Sequence, residues 1–172
     1  MTAVSAALRA KWGQPDREAR FEATDVAVRI LRYDATSNHQ GVVLYLTSLE
    51  LDDSHPGHEF MLGLASPRDE VASPLAALAR YSMSSPLHNG DTVPSDTPFW
   101  AGTSMRHFLI AAPVDPLVGP VRIGERLVQF LHAIPIYEAE LEVARERGVP
   151  DFLTALGSQG IRYWEPNRPS FA

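Results

Sequence analysis

The chain has 172 residues, no cysteine, and 15 basic against 21 acidic side chains, which gives a formal charge of −6. A chain of this length buries roughly 70% of the surface that it exposes when unfolded, so it needs no cross-link to be stable. The lack of cysteine excludes disulfides, thiolate zinc sites and cysteine nucleophiles, and an acidic chain without a basic cluster is not typical of a nucleic-acid-binding protein.

The sequence also lacks the features of a membrane protein. No apolar run approaches the ~20 residues that a bilayer-spanning helix needs, and the first residues have no basic start ahead of an apolar segment, as a signal peptide would. Val4, Leu8 and Trp12 recur at helical spacing and predict a short helix over residues 1–12. We therefore expect a cytoplasmic protein with no membrane partner.

Three strands are predicted in the first third of the chain. Alternating apolar and polar residues indicate a half-buried strand over 24–33. Two further apolar runs, 41–49 and 58–65, are separated by a turn that contains Pro56 and Gly57. This spacing is typical of strands joined as hairpins.

A helix and a long loop follow these strands. Ser73 and Pro74 have the residue types of an N-cap and a first helical position. Residues 84–99 contain three prolines and Gly90, which predicts a loop longer than the usual ~4–6 residues. Loops of that length commonly carry function or are disordered.

The second half of the chain predicts a central strand and two more helices. Strands over 106–112 and 121–123 precede a hairpin turn into 126–134, which is apolar on both faces and therefore fits the middle of a sheet. Gly148 separates a helix over 137–147 from one over 151–156. The sum is about six strands and four helices, an α+β fold with a largely antiparallel or mixed sheet. We expect one domain over 1–172, with its core at 24–157 and a tail on the surface at 158–172.

The densest polar cluster consists of Asp52, Asp53, His55, His58 and Glu59. Carboxylates and imidazoles can bind a divalent cation, and Asp52, His55 and His58 could then serve a metal-assisted hydrolase. The spacing matches no named metal-binding pattern, however, and an exposed turn between two strands explains the same residues. Both interpretations are open at this point.

Other candidates for catalysis are weaker. Ser104 and His107 are three residues apart, but the Gly-x-Ser-x-Gly pattern of a hydrolase nucleophile is absent. His132 and Gln129 lie in the apolar strand, where a structural role is the commoner one. No glycine-rich phosphate loop is present. The sequence therefore predicts no cofactor and no catalytic residue.

Phe99 and Trp100 lie beside the long loop and allow two interpretations. They could form an exposed aromatic anchor for a partner protein. They could equally be a plug that fixes the loop to the hydrophobic core.

Several segments in combination resemble the suppressor of fused domain family. The similarity covers roughly 24–156 and rests on Val43–Ser48 with Leu51 and Asp52, Gly57–Leu64, Leu78–Tyr81, Gly90–Pro94 and Phe130–Leu141. The chain departs from the family pattern at Thr92, where many members have histidine, and at Leu49, where we would expect glycine.

The resemblance implies a compact domain that binds another protein. Bacterial relatives are associated with polymorphic toxin systems, so it further implies an immunity-type protein that neutralises a toxin. The acidic charge would favour a basic toxin domain. We expect the contact surface in the 84–99 loop and the 52–58 turn, with Asp52, Asp53, Asp91, Asp96, Phe99 and Trp100 as partner-binding residues. The oligomeric state is open.

Overall fold

The computed structural model describes residues 2–36, 41–51, 57–112 and 118–172. The α-helices are α1 (Ala3–Trp12), α2 (Ala72–Ser84) and α3 (Leu141–Ser158). The strands are β1 (Arg17–Phe21), β2 (Val28–Tyr33), β3 (Val43–Leu49), β4 (His58–Leu64), β5 (Thr92–Pro94), β6 (His107–Ala111), β7 (Val121–Ile123) and β8 (Arg126–Ile136). None of the helices in these residues is long and apolar enough to span a membrane.

The strands form one mixed sheet in the order β1-β2-β3-β4-β8-β6-β5, and β7 pairs with β8. All neighbours are antiparallel except β4 and β8, which are parallel and align Met61 with His132. The predicted α+β class and the largely antiparallel or mixed sheet are confirmed. The strand count is slightly higher than predicted because β1 and β5 were not expected.

Helices cover both faces of the sheet. Val28 and Ile30 of β2 join the core beneath α2, whereas Leu31 joins the core beneath α1. The even-numbered residues of β8 share one face, because successive side chains of a strand point to opposite sides. Val128 packs with the α1 core and Ile134 with the α3 core. Helices α1 and α3 therefore lie on one side of the sheet, and α2 lies on the other.

The start of α2 differs from the predicted one, whereas the predicted break at Gly148 is present. A 3-10 turn, Asp69–Val71, leads directly into α2, so Val71 rather than Ser73 occupies the N-cap position. Pro74 is tolerated because the first N–H groups of a helix have no partner within it. The predicted helices at 137–147 and 151–156 are two arms of α3. They meet at a kink where Gly148 has φ 75 and ψ 173, outside the helical region.

The tail at 158–172 runs along the surface, as expected, but it is anchored to the fold by two buried residues, Pro166 and Arg168. Arg168 forms a bidentate ion pair with Glu140, at 2.6 Å from Nη1 to Oε1 and 2.7 Å from Nη2 to Oε2. Both side chains are inaccessible to solvent, 1% and 0% exposed. Arg168 Nη2 also donates to the carbonyl oxygen of Pro135 at 3.1 Å. Sequence position alone could not reveal this pairing across 28 residues.

Ion pairs cover the edge of the sheet at β1. Eight of them join five arginines to five carboxylates, so this β1 network is electrically neutral. Hydrogen bonds from Arg20 and Arg29 lower the pKa of Glu50 to about 2. Since the network is neutral, the whole charge of −6 lies elsewhere on the chain. The members of the network are Arg9, Asp16, Arg17, Glu18, Arg20, Glu22, Arg29, Arg32, Glu50 and Asp69.

Candidate protein-binding surface

The predicted loop at 84–99 is ordered by the end of β6. Gly90 N donates to the Ile110 carbonyl at 2.8 Å, and the Asn89 side chain accepts from Ala112 N at 2.9 Å. Gly90 has φ 98, a left-handed conformation that other residues rarely adopt. These contacts form a tight turn, and the next residues continue as β5 rather than as loop.

The turn fixes the position of the Asp91 carboxylate. His88 N donates to Asp91 Oδ2 at 2.7 Å, and the Asp91 carbonyl accepts from Ile110 N at 2.8 Å. The Asp91 side chain is still 45% exposed. Asp91 therefore presents a carboxylate to solvent from a rigid backbone.

Phe99 and Trp100 are buried, at 1% and 3% exposure, so the expectation of an exposed anchor is wrong for these side chains. Phe99 stacks on Phe108 with ring centroids 4.2 Å apart. Burial of large aromatic rings is strongly stabilising, which explains why the loop turns them inward. The structure fits the plug interpretation.

Two adjoining clefts lie beside α2, and Tyr81 borders both. The first, about 520 Å³, lies between α2 and the segment Val93–Thr97, with Asp96 on its border. The second, about 420 Å³, is lined by Tyr81, Asp91 and Arg145 among others. We call these two clefts with their polar rim the α2-end surface; its members are Tyr81, Asp91, Thr92, Val93, Pro94, Asp96 and Arg145.

Tyr81 is unusual for its exposure. It is 50% exposed, and the other large hydrophobic side chains exposed in the described residues are Met83 and Leu127. Tyr81 lies off the buried stripe of α2, which contains Leu75, Leu78 and Ala79. That offset follows from helical periodicity, so the exposure of Tyr81 is encoded in the sequence. The sequence does not indicate that Arg145 lies at this surface, because its closeness to Thr92 depends on how α3 packs.

The polar cluster at 52–59 is only partly described. Asp52, Asp53 and His55 lie outside the described residues. Glu59 is fully buried and accepts hydrogen bonds from Leu49 N at 2.7 Å and from Thr47 Oγ1 at 2.5 Å. Within the described ranges, no three His, Asp or Glu side chains lie close enough together to bind a metal ion.

The two histidines considered for catalysis, His107 and His132, each contact another side chain of the fold. His107 Nε2 lies 2.7 Å from Glu138 Oε2, and the nearby Ser104 is exposed. Burial lowers the pKa of His132 to about 4, so its ring is neutral at pH 7. His132 packs edge-to-face against Tyr163 at 5.3 Å between centroids. Gln129, in the same strand, is exposed rather than buried.

Comparison with solved structures identifies the same fold in several proteins. A putative suppressor of fused homolog from Neisseria gonorrhoeae matches with a TM-score of 0.71 and 24% identity, over 99% of this chain and 95% of that one. A chain of the Sufu-Fu complex matches with a TM-score of 0.70 and 16% identity, over 98% and 91%. Drosophila Suppressor of Fused matches at 0.62 and 18% identity, but the aligned part is 84% of this chain and only 42% of that one.

Sequence comparison gives the family directly. A search of curated proteins found no significant match. The family model of the suppressor of fused protein (SUFU) matches residues 27–169, which include both clefts and the Arg168–Glu140 pair. The chain therefore belongs to the suppressor of fused protein family.

Proposed function

We propose that the chain is a non-catalytic protein-binding module and that its partner contacts the α2-end surface. The observation that carries this proposal is Tyr81, an aromatic side chain half exposed at the junction of two clefts. Tyrosine combines a large contact area with few rotatable bonds, so it is enriched among the residues that dominate binding energy.

The distribution of charge supports a basic partner. At the β1 edge every arginine and carboxylate of the network is paired. Within the described residues, by contrast, Asp96 forms no ion pair, and Asp91 has only the largely exposed His88 at 3.7 Å. Exposed carboxylates attract a basic protein and speed its association.

The comparisons support a binding role in general terms. One of the similar structures is a Sufu-Fu complex, so a protein of this fold was solved together with a protein partner. For this chain we propose more specifically an immunity-type protein that neutralises a basic toxin domain in the cytoplasm. That step rests on the family resemblance and the charge of −6.

Co-expression with the product of a neighbouring toxin gene tests the proposal. We expect a stable complex and loss of toxicity, and we expect Tyr81→Ala to weaken the complex. Leu127→Ala is the matched control, because Leu127 is a similarly exposed apolar side chain that lines neither cleft. If neither the toxin product nor any protein of the host lysate binds, the proposal fails. Equal loss in both variants would refute the assignment of the surface.

A further inference from the structure

We infer that Arg145 determines specificity at the α2-end surface by binding a carboxylate of the partner, beside a basic residue that Asp91 binds. This inference rests on the proposed function. It changes the expected partner from a uniformly basic segment to one that carries both charges.

The guanidinium of Arg145 lies at the second cleft. It extends from α3 to β5, where Nε and Nη2 donate to Thr92 Oγ1 at 3.3 and 3.2 Å. The residue is exposed and lines the same cleft as Asp91. Thr92 follows Asp91 in the chain, so the cation and the carboxylate belong to neighbouring positions of one wall.

Arg145 has donors to spare. A guanidinium has five N–H groups, and the two bonds to Thr92 use two of them. Among the described residues no carboxylate lies within ion-pair distance of Arg145, whereas each of the five arginines of the β1 network has one. A guanidinium that is already oriented binds a carboxylate with good geometry and little loss of side-chain freedom.

The second cleft therefore presents both signs of charge. A partner segment with only basic residues would bring like charge against Arg145, which weakens binding and favours other partners. A segment with one acidic and one basic side chain satisfies Arg145 and Asp91 together. Strand addition to β5 is a poor alternative, because the strand has three residues and Pro94 has no N–H to donate. We infer that recognition uses side chains.

A random dodecapeptide library displayed on phage tests this inference without knowledge of the natural partner. Selection is run in parallel on the wild-type protein, Arg145→Gln and Asp91→Asn. We expect wild-type selection to enrich peptides with an acidic and a basic residue at a fixed separation. Arg145→Gln should lose only the acidic preference, and Asp91→Asn only the basic one.

Affinities of one selected peptide then give the size of the effect. We expect Arg145→Gln to weaken binding roughly 10- to 100-fold, the range for a lost charge-assisted hydrogen bond, and Arg145→Lys to weaken it less. Replacing the acidic residue of the peptide by its amide should cost the wild type as much but have no further effect on Arg145→Gln. Unchanged hydrogen exchange at residues 90–95 in Arg145→Gln would show that the loss is not structural.

The outcomes separate the inference from the proposed function. If Arg145→Gln selects the same peptides with the same affinity, while Tyr81→Ala still abolishes binding, the inference is wrong and the binding surface stands. If the library yields no peptide, or only peptides insensitive to Tyr81→Ala, the surface itself is wrong. Slowed or accelerated exchange at 90–95 in Arg145→Gln would assign the residue a structural role and overturn the inference.

Discussion

Charged side chains are paired at one edge of the sheet and unpaired at the other. At β1 each arginine of the network has a carboxylate partner, and the network is neutral. At the β5 side Arg145 and Asp96 have no ion-pair partner among the described residues, and a half-exposed tyrosine lies between them. Paired charges protect an exposed strand edge from association with other chains. We therefore expect unpaired charge beside exposed apolar area, rather than charge content alone, to mark a binding surface.

The largest effect is expected at the buried Arg168–Glu140 ion pair, which lies away from both edges. Its loss measures how much an ion pair contributes to the free energy of unfolding where solvent is excluded. Glu140→Gln leaves Arg168 charged and buried, and removal of one partner of a buried pair typically costs ~3–5 kcal/mol. Urea unfolding should show this loss. Arg168→Met with Glu140→Leu should recover much of the stability, because apolar replacement of both partners removes the buried charge. A loss below ~1 kcal/mol in Glu140→Gln would mean that the pair is solvated.

Tyr81→Ala tests whether the partner binds at the β5 side of the sheet. We expect a loss of ~2 kcal/mol in partner affinity, as is common for an aromatic residue at the centre of an interface. The free energy of unfolding should change by less than ~0.5 kcal/mol, because the ring is half exposed. Calorimetric titration and urea unfolding of the same sample measure both. An equal effect from Glu22→Gln at the β1 edge would remove the distinction between the two regions.

The double variant Asp91→Asn with Asp96→Asn tests whether the carboxylates at the β5 side speed association with the partner. We expect the association rate to fall several-fold at low salt and the difference to shrink as salt screens the charges. Stopped-flow association across a salt series measures it. Glu18→Gln at the β1 edge is the control, and its salt dependence should match that of the wild type.

Glu50→Gln should give the smallest effect. The pKa of Glu50 is lowered from 4.5 to about 2, so folding favours its ionised form. Its contribution to stability is complete above about pH 4.5 and is lost as the pH falls towards 2. Because the side chain is partly exposed, we expect less than ~1 kcal/mol. Acid unfolding of the two proteins should differ above pH 4.5 and converge near pH 2.

Much of the fold could be predicted from local patterns. The turn at Gly124 and the strand Val121–Ile123 were predicted correctly because a hairpin is encoded within a few residues. The break at Gly148 was predicted for a similar reason, since glycine alone tolerates its φ of 75. By contrast, β1 carries charged residues whose partners lie on α1, on β2, just after β3 and in the 3-10 turn before α2. Its pairing with β2 and these ion pairs arise only in the folded chain.

The candidate site was predicted in part. Asp91 and Asp96 lie at the α2-end surface, although a role in binding is still a prediction. Phe99 and Trp100 entered the core because burial of two rings outweighs the turn propensity of their neighbours. Arg145 could not be predicted, because its contact with Thr92 spans 53 residues.

The parallel pairing of β4 with β8 has a consequence for the order of folding. Strands β1–β4 follow one another in the sheet in sequence order, and β5–β8 pair only with one another apart from the β4–β8 contact, so each half can assemble through contacts that are close in sequence. The seam between the halves aligns Phe60 with Leu131 and requires closure of a loop of about 70 residues. We expect this closure to limit the folding rate, so that Leu131→Ala slows refolding, and Leu44→Ala slows it as well because the contacts of the β1–β4 half are already formed at that point. Chevron plots of the two variants would show which half-sheet contacts form before the transition state.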